Sequence, residues 1–226
     1  EIDWKATSRS QKLLVRRYKE ERDMKIMFLI DVGTNMIFGS TEKLKCEYAA
    51  ELAGAFASVL INSNDRIGFI FFGEKINPFL DFKSGQRHLN LFIDFLSRSK
   101  IYGGGPSNLN LALDFAMESL DNSVLAVILI SDFLSLNEKT EKKLNLLSNK
   151  FETIAFCVND PLDFQFPDVE GEFSLEDPAS REQIIVNPRV AKAAYEKYAL
   201  EHKKLVENTF KKIDIDRVNL MTDKGF

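Results

Sequence analysis

The fold is decided by the stretch Lys25-Ile26-Met27-Phe28-Leu29-Ile30-Asp31, a mostly apolar run that ends on an acid and continues toward Gly33, Thr34 and Asn35. An uninterrupted apolar run of this length is typical of a strand that is buried on both faces, as in a parallel sheet. Open α/β sheets bind their ligands at the carboxyl ends of such strands. The sequence therefore places Asp31 at the edge where a functional site is expected.

Two later segments repeat this pattern of polar groups at the end of an apolar run. Residues 124–131 form a second apolar run that is followed directly by Asp132, and the glycine-rich residues 103–108 include Ser107. If the strands that carry Asp31 and Asp132 are parallel neighbours, both carboxylates and the Ser107 hydroxyl converge at one edge of the sheet. Oxygen ligands of this kind suit a hard divalent cation such as magnesium. The sequence therefore predicts an oxygen-rich cation site.

Strand patterns alternate with helix patterns along most of the chain. Strands are predicted at 25–31, 66–72, 76–82, 124–132, 151–158 and 217–221, and helices at about 44–60, 87–97, 109–120, 138–147 and 188–210. Such alternation is typical of a parallel sheet covered by helices. Pro78 cannot donate to a sheet ladder, which favours an edge position for the strand at 76–82. We therefore predict an α/β fold of Rossmann type, with a mostly parallel central sheet, helices on both faces and one antiparallel edge strand.

The chain divides into a short leading segment and one domain. Residues 1–24 are polar with a short apolar alternation at Leu13, Val15 and Tyr18, which indicates an extended segment. Because the chain begins at Glu1 without a methionine, we interpret this segment as the end of an upstream region. Residues 25–226 form the α/β domain. Within it, residues 160–186 contain several prolines and acids around two short extended pieces, and we predict an inserted hairpin there.

Composition excludes several classes of function. A net charge of −4 and a pI near 5.4 provide no basic surface for nucleic acid. The chain contains neither a signal peptide nor an apolar run of about 18 residues that could span a membrane. Cys46 and Cys157 each lie in an apolar pattern, which predicts buried free thiols and a cytoplasmic location. His88 and His202 lack the spacing of a zinc site, and we expect both at the surface or its boundary.

The arrangement of Asp31, Ser107 and Asp132 resembles the metal-ion-dependent adhesion site of von Willebrand factor A domains. In those domains an Asp-x-Ser-x-Ser turn, a threonine loop and a distant aspartate hold one divalent cation. Further motifs resemble the DUF58 family of such domains: Ile2-Asp3-Trp4-Lys5-Ala6-Thr7-Ser8-Arg9, Asp160-Pro161-Leu162, Leu175-Glu176-Asp177-Pro178 and Leu220-Met221-Thr222-Asp223. Together these motifs cover essentially the whole chain.

The resemblance implies a ligand set and also shows where this chain departs from it. The implied metal ligands are Asp31, Asn35, Ser107 and Asp132, and the residues lining the site are Gly33, Thr34, Gly104 and Gly105. Gly33 and Asn35 stand where the two serine ligands are expected, so we expect magnesium or manganese to bind weakly and no cofactor to be required. The alternative is that Asp31 and Asp132 cap loop amides and that the glycines serve turn geometry.

The resemblance further implies a non-catalytic protein-interaction module. Its implied partner is a MoxR-type AAA+ ATPase, in chaperone-like assembly or maturation, and DUF58 proteins commonly carry membrane helices upstream of this domain. One rival is a metal-dependent phosphohydrolase using Asp31 and Asp132, but haloacid-dehalogenase-like enzymes need a second acid where Gly33 stands. The other is a structural domain with a vestigial cation site. Nucleotide hydrolysis is not favoured, because residues 103–108 lack the Gly-Lys-Ser ending of a phosphate-binding loop.

Overall fold

A computed structural model of the chain describes residues 23–166, 173–176 and 183–225. The predicted extended segment at 1–24 therefore lies outside the described residues except for its last two positions. Residues 167–172 and 177–182 of the predicted hairpin region also lie outside them. The division of the chain into a leading segment and a domain stays a prediction.

The described residues form eight strands and five α-helices. The strands are β1 (Lys25–Asp31), β2 (Arg66–Phe72), β3 (Ile76–Lys83), β4 (Ala126–Ser131), β5 (Glu152–Asn159), β6 (Phe173–Glu176), β7 (Gln183–Val186) and β8 (Asp216–Met221). The helices are α1 (Lys45–Asn62), α2 (Gln86–Leu96), α3 (Leu109–Ser119), α4 (Glu138–Lys150) and α5 (Pro188–Lys212). Short 3₁₀ turns occupy Thr34–Met36, Ser99–Ile101 and Pro161–Asp163.

The central sheet has six strands in the order β3-β2-β1-β4-β5-β8. All neighbouring pairs are parallel except β2 and β3, which pair antiparallel with two register shifts. The predicted fold class is therefore confirmed, including the edge position of the strand that contains Pro78. Because β1, β4 and β5 are adjacent and parallel, their carboxyl ends lie at one edge of the sheet.

Helices cover both faces of this sheet, as the sequence pattern predicts. On one face, Met27 and Leu29 of β1 belong to an apolar cluster with residues of α3, α4 and α5. On the other face, Ile26, Phe28 and Ile30 belong to a second cluster with residues of α1 and α2. Successive side chains of β1 therefore pack alternately into two separate apolar cores, one on each face of the sheet.

Side-chain caps fix where two of the helices begin. The Asn108 side chain accepts a hydrogen bond from the backbone N–H of Leu111 at the start of α3. The Asn137 side chain accepts bonds from the backbone N–H groups of Lys139 and Thr140 at the start of α4. Caps of this type satisfy backbone donors that have no partner within the helix. The caps thus fix the start of each helix directly after a loop at the carboxyl edge of the sheet.

The smaller predictions have mixed outcomes. β6 and β7 pair antiparallel, so a hairpin is present within 160–186. Cys46 and Cys157 are buried and free, as predicted. The expected surface or boundary position of His88 is wrong: the side chain is buried, because its Nε2 bonds the backbone oxygen of Ile67 at 2.8 Å. Within the described ranges, no helix is long and apolar enough to cross a bilayer.

Truncation of Phe92 to alanine should destabilise the domain more than truncation of its neighbour Leu91. The Phe92 ring is completely buried and stacks on Phe69 with ring centroids 3.5 Å apart. We expect Phe92→Ala to lower the free energy of unfolding by about 3 to 5 kcal/mol, because it leaves a cavity. Leu91→Ala on the same helix is the control, since Leu91 is 42% exposed. Urea unfolding of both variants measures the difference, and equal losses would contradict this account of the core.

Candidate functional site

Three loops are joined at the carboxyl edge of the sheet. After β1, the backbone N–H of Thr34 donates to the oxygen of Gly105 at 2.9 Å, and the N–H of Gly103 donates to the oxygen of Val32 at 2.8 Å. The loop after β2 joins them, since the N–H of Asn108 donates to the oxygen of Gly73 at 3.0 Å. Gly103 and Gly105 have φ angles of +75° and +116°, which only glycine adopts without strain. The loops therefore form one connected surface.

Asp31 lies beneath this surface and is only 1% exposed. Its Oδ1 accepts hydrogen bonds from the Gly33 backbone N–H at 2.9 Å and from the Ser107 hydroxyl at 2.6 Å. Its Oδ2 accepts a bond from the Ser131 hydroxyl at 2.7 Å. Burial and the nearby charge of Asp132 raise the pKa of Asp31 from 3.8 to about 7, although the three hydrogen bonds act in the opposite direction. The structure thus brings Asp31 and Ser107 together.

Asp132 is also buried, but its charge is balanced by a lysine. Its Oδ1 accepts a bond from the backbone N–H of Leu134 at 3.1 Å, and its Oδ2 accepts one from Lys45 Nζ at 2.8 Å. The same ammonium lies 3.2 Å and 3.3 Å from the two carboxylate oxygens of Asp163. Burial acts to lower the pKa of Lys45, but the two aspartates outweigh it and raise that pKa above its ordinary value. Lys45 is therefore protonated inside the protein.

Sequence reasoning missed Lys45 and Asp163. Lys45 is the first residue of α1, and its sequence neighbourhood resembles any solvated helix start. Asp163 lies in the short turn after β5. Neither position carries a local pattern that indicates burial, because the partners of Lys45 lie 87 and 118 residues further along the chain.

The position of Gly33 decides how well a divalent cation would fit. A Cβ atom at Gly33 would lie 2.2 Å from the Ser107 hydroxyl oxygen and 2.8 Å from the Ser107 backbone nitrogen. A serine ligand at this position is therefore excluded unless the 103–108 loop moves. Ser107 itself donates its hydroxyl proton to Asp31.

The other groups at this edge add little to a metal site. Thr34 Oγ1 is buried without a hydrogen-bond partner, and is the one spare hydroxyl near Asp31 in sequence. Asn35 is half-buried in the 3₁₀ turn, and Gly104 is exposed. Among the residues that the model describes, no three His, Cys, Asp or Glu side chains are grouped to hold a metal. The residues present do not fit a complete divalent-cation site, and binding by Asp31, Asn35, Ser107 and Asp132 stays a prediction.

A third buried carboxylate, that of Asp160, joins the edge to the end of the chain. Asp160 is fully buried, and its oxygens accept bonds from the backbone N–H and hydroxyl of Ser40, the backbone N–H of Leu162 and the hydroxyl of Thr222. Burial acts to raise the pKa of Asp160, but these bonds outweigh it and lower that pKa below the ordinary value. Asp160 therefore holds the loop after β1 against the segments that follow β5 and β8.

An apolar cavity of about 300 Å³ opens beside this network. It lies between α5 and the carboxyl ends of β4, β5 and β8, with Asp132 and Asp163 at one end and Tyr195, Ala199 and Val206 along its helical wall. This volume lies at the lower end of the range for small-molecule pockets and is large enough for one large side chain. Nothing in the sequence pattern of α5 indicated it.

Comparison with known sequences places the chain beside uncharacterised proteins. A family model described as "Protein of unknown function DUF58" matches residues 1–205. The uncharacterized protein Rv1480 of Mycobacterium tuberculosis (strain ATCC 25618 / H37Rv) is 23% identical over 228 residues, which cover 100% of this chain and 71% of that protein. The family that the sequence motifs indicated is thereby confirmed.

Comparison with solved structures supports the same fold. An aerotolerance-related membrane protein from Bacteroides fragilis NCTC 9343 is similar with a TM-score of 0.58 and 15% identity, covering 87% of this chain and 91% of that one. A von Willebrand factor type A domain from Catenulispora acidiphila is a more remote match, with a TM-score of 0.47 and 12% identity over 61% of this chain and 33% of that one. The match to the Bacteroides fragilis protein shows a similar fold and not a function.

Asp31→Asn should remove the loss of folding stability that wild type suffers as pH rises, which comes from the buried Asp31 carboxyl. Because the folded state raises the pKa of Asp31 to about 7, wild-type stability falls as pH rises from about 4 to 7, where the unfolded chain releases this proton and the folded protein holds it. Asparagine has a similar size and no such proton. We therefore expect the variant to gain stability relative to wild type between pH 5 and pH 8, by about 1.4 kcal/mol for each pH unit up to about pH 7 and by little above it.

Urea unfolding at both pH values measures this gain. The control is Asp94→Asn, because Asp94 is exposed and lies outside the network. A difference between Asp31→Asn and wild type that is the same at pH 5 and pH 8 would contradict the raised pKa.

Asp160→Asn should destabilise the domain at neutral pH. An amide nitrogen would face donors from Ser40 or Thr222, and would leave at least one of them without an acceptor. We expect a loss of about 2 kcal/mol or more at pH 7, since bonds to a charged acceptor are involved. Because the pKa of Asp160 is lowered in the folded state, the loss should shrink as pH falls below about 4. Thermal unfolding against pH tests this, and a loss that grows in acid would contradict it.

Proposed function

The chain belongs to the DUF58 family, and we propose that the carboxyl edge of its sheet is a non-catalytic docking surface for a protein partner. The observation that carries the proposal is the connection between the loops. Backbone bonds join Thr34 to Gly105, Gly103 to Val32 and Asn108 to Gly73, and buried carboxylates hold the loops from below. A surface that is already ordered loses little conformational entropy on binding, which favours recognition of a protein.

The exposed groups at this edge suit protein contact. Gly104, Pro106 and Asn108 are exposed, and Asn35 is half-buried next to them. They offer backbone and amide groups for hydrogen bonds, whereas the carboxylates below them are buried and bonded to donors within the protein. The apolar cavity beside Asp132 provides a second feature that a partner side chain can enter. We therefore assign Asp31, Ser107 and Asp132 to the support of the docking surface.

The chemistry of the edge favours binding over catalysis. The Asp31 carboxylate is fully buried and already accepts three hydrogen bonds, and the Asp132 carboxylate is paired with Lys45. A phosphohydrolase would need one of these carboxylates exposed as a nucleophile and a second acid as general acid. Gly33 stands where that second acid would be. Magnesium or manganese would bind weakly at most, and the docking proposal requires neither.

The proposed partner is a MoxR-type AAA+ ATPase, with a role in chaperone-like assembly or maturation. This part of the proposal rests on the resemblance to the family and on no contact in the structure. The similarity to an aerotolerance-related membrane protein supports a parent protein associated with a membrane. We place the docking domain on the cytoplasmic side, in keeping with its buried free cysteines.

A bulky substitution at Gly104 should abolish docking and leave the fold intact. A Cβ atom at Gly104 would meet no atom within 4 Å, so an arginine there would project from the surface. We expect Gly104→Arg to weaken co-purification of the intact protein with the ATPase, in the presence of ATP and magnesium, by tenfold or more. Gly54→Arg is the matched control, because Gly54 is equally unobstructed but lies on α1, remote in sequence from the docking loops.

The two variants separate the docking surface from the partner's identity. Unchanged unfolding temperatures would show that both variants fold. Equal retention of the ATPase by Gly104→Arg and Gly54→Arg would contradict docking at this edge. No retention by wild type would instead contradict the choice of a MoxR-type partner.

A further inference from the structure

The Lys45 ammonium contacts two acids at the carboxyl edge of the sheet, Asp132 and Asp163. Asp31 and Asp132 are both buried at the ends of adjacent parallel strands. Asp163 adds a third acid from the turn after β5. Buried carboxylates without a nearby positive charge are strongly unfavourable. In an adhesion-type site a divalent ion supplies that charge, and here an ammonium contacts Asp132 and Asp163.

The contacts of Lys45 are those of a resident cation. Its side chain is 1% exposed, its Nζ is 2.8 Å from Asp132, and it is 3.2 Å and 3.3 Å from the two oxygens of Asp163. The ring of Phe38 lies 5.6 Å from the same ammonium. A lysine at the first position of a helix faces the positive end of the helix dipole, which disfavours it there. The two acids therefore account for its position better than helix α1 does.

The two hydroxyls that contact Asp31 are already paired within the protein, whereas the buried Thr34 Oγ1 is not. Ser107 and Ser131 both donate their hydroxyl protons to Asp31, and no serine can be placed at position 33 beside Ser107 without moving the loop. A divalent ion would have to displace these bonds and also share Asp132 with the ammonium. Its gain would be reduced by repulsion from a positive charge that cannot leave the site.

We propose that Lys45 supplies, as part of the chain, the positive charge that a divalent cation supplies in an adhesion-type site, so that the docking edge forms without a metal ion. The ammonium joins the start of α1 to the end of β4 and to the turn after β5. The proposal rests on the proposed function only in treating this edge as a docking surface, and its test requires no partner.

The first test is a titration of wild type with magnesium and with manganese. We expect no saturable heat in the micromolar to millimolar range, and the same unfolding temperature in EDTA as in millimolar metal. Saturable binding that is lost in an Asp31→Ala, Asp132→Ala double variant would overturn the proposal. This titration is decisive even if a lysine variant fails to fold.

The second test removes the ammonium. We expect Lys45→Met to lower the unfolding temperature by roughly 10 °C, since it leaves two buried carboxylates without a cation. Lys43→Met is the control, because Lys43 is exposed and forms a surface ion pair with Glu51, and it should change the temperature by no more than about 2 °C. Equal effects of the two variants would overturn the proposal. Failure of Lys45→Met alone to fold counts as support.

A compensating variant separates lost charge from lost packing. Adding Asp132→Asn and Asp163→Asn to Lys45→Met removes the charges that the ammonium neutralised, so we expect part of the lost temperature to be recovered. No recovery, with the two asparagine substitutions alone harmless, would overturn the electrostatic role. Co-purification of wild type with the ATPase in the presence of ATP and magnesium is a separate measurement, and failure there contradicts the choice of a MoxR-type partner and leaves the Lys45 result unchanged.

Discussion

The burial of a carboxylate at the end of each of three neighbouring strands is the constraint on which this structure depends. Asp31 ends β1, Asp132 follows β4 and Asp160 follows β5, and each is 4% exposed or less. An ionised carboxylate cannot be buried without hydrogen bonds or an opposite charge. Each strand end meets this requirement differently: Asp31 through hydroxyls and a raised proton affinity, Asp132 through an ammonium, and Asp160 through amide and hydroxyl donors. The loops at this edge take the conformations that bring those donors into place.

The layout of the fold could be predicted from the sequence because its signals are local. Apolar runs and helical periodicity lie within single segments, and the parallel arrangement of β1 and β4 follows from their alternation with helices. The meeting of Asp31 with Ser107 follows in turn from that arrangement. Lys45 and Asp163 could not be predicted, since their burial depends on partners in other segments that no local pattern identifies. His88 was misplaced for a related reason, because a buried backbone oxygen of β2 provides the partner that makes its burial acceptable.

The motifs that carry the family resemblance have a structural role in this chain. Asp160 and Thr222 come from two different motifs, and their side chains are hydrogen-bonded to each other at 2.9 Å. The glycines of the 103–108 loop likewise have a structural role, because Gly103 and Gly105 have φ angles in the left-handed region. The ligand positions implied by the resemblance differ more, because the space at Gly33 is taken by Ser107. Similarity in the supporting residues therefore extends further than similarity in the cation ligands.

The central sheet also keeps two apolar clusters apart, and these clusters share no residue. Substitutions in one layer of helices change packing on one side of the sheet, and those on opposite sides should contribute almost additively to stability. The apolar residues of each helical layer can therefore be substituted independently of those in the other layer, provided that the strands between them are kept. The sheet is then the element that must be kept, and a similar fold is found at 15% identity with a TM-score of 0.58.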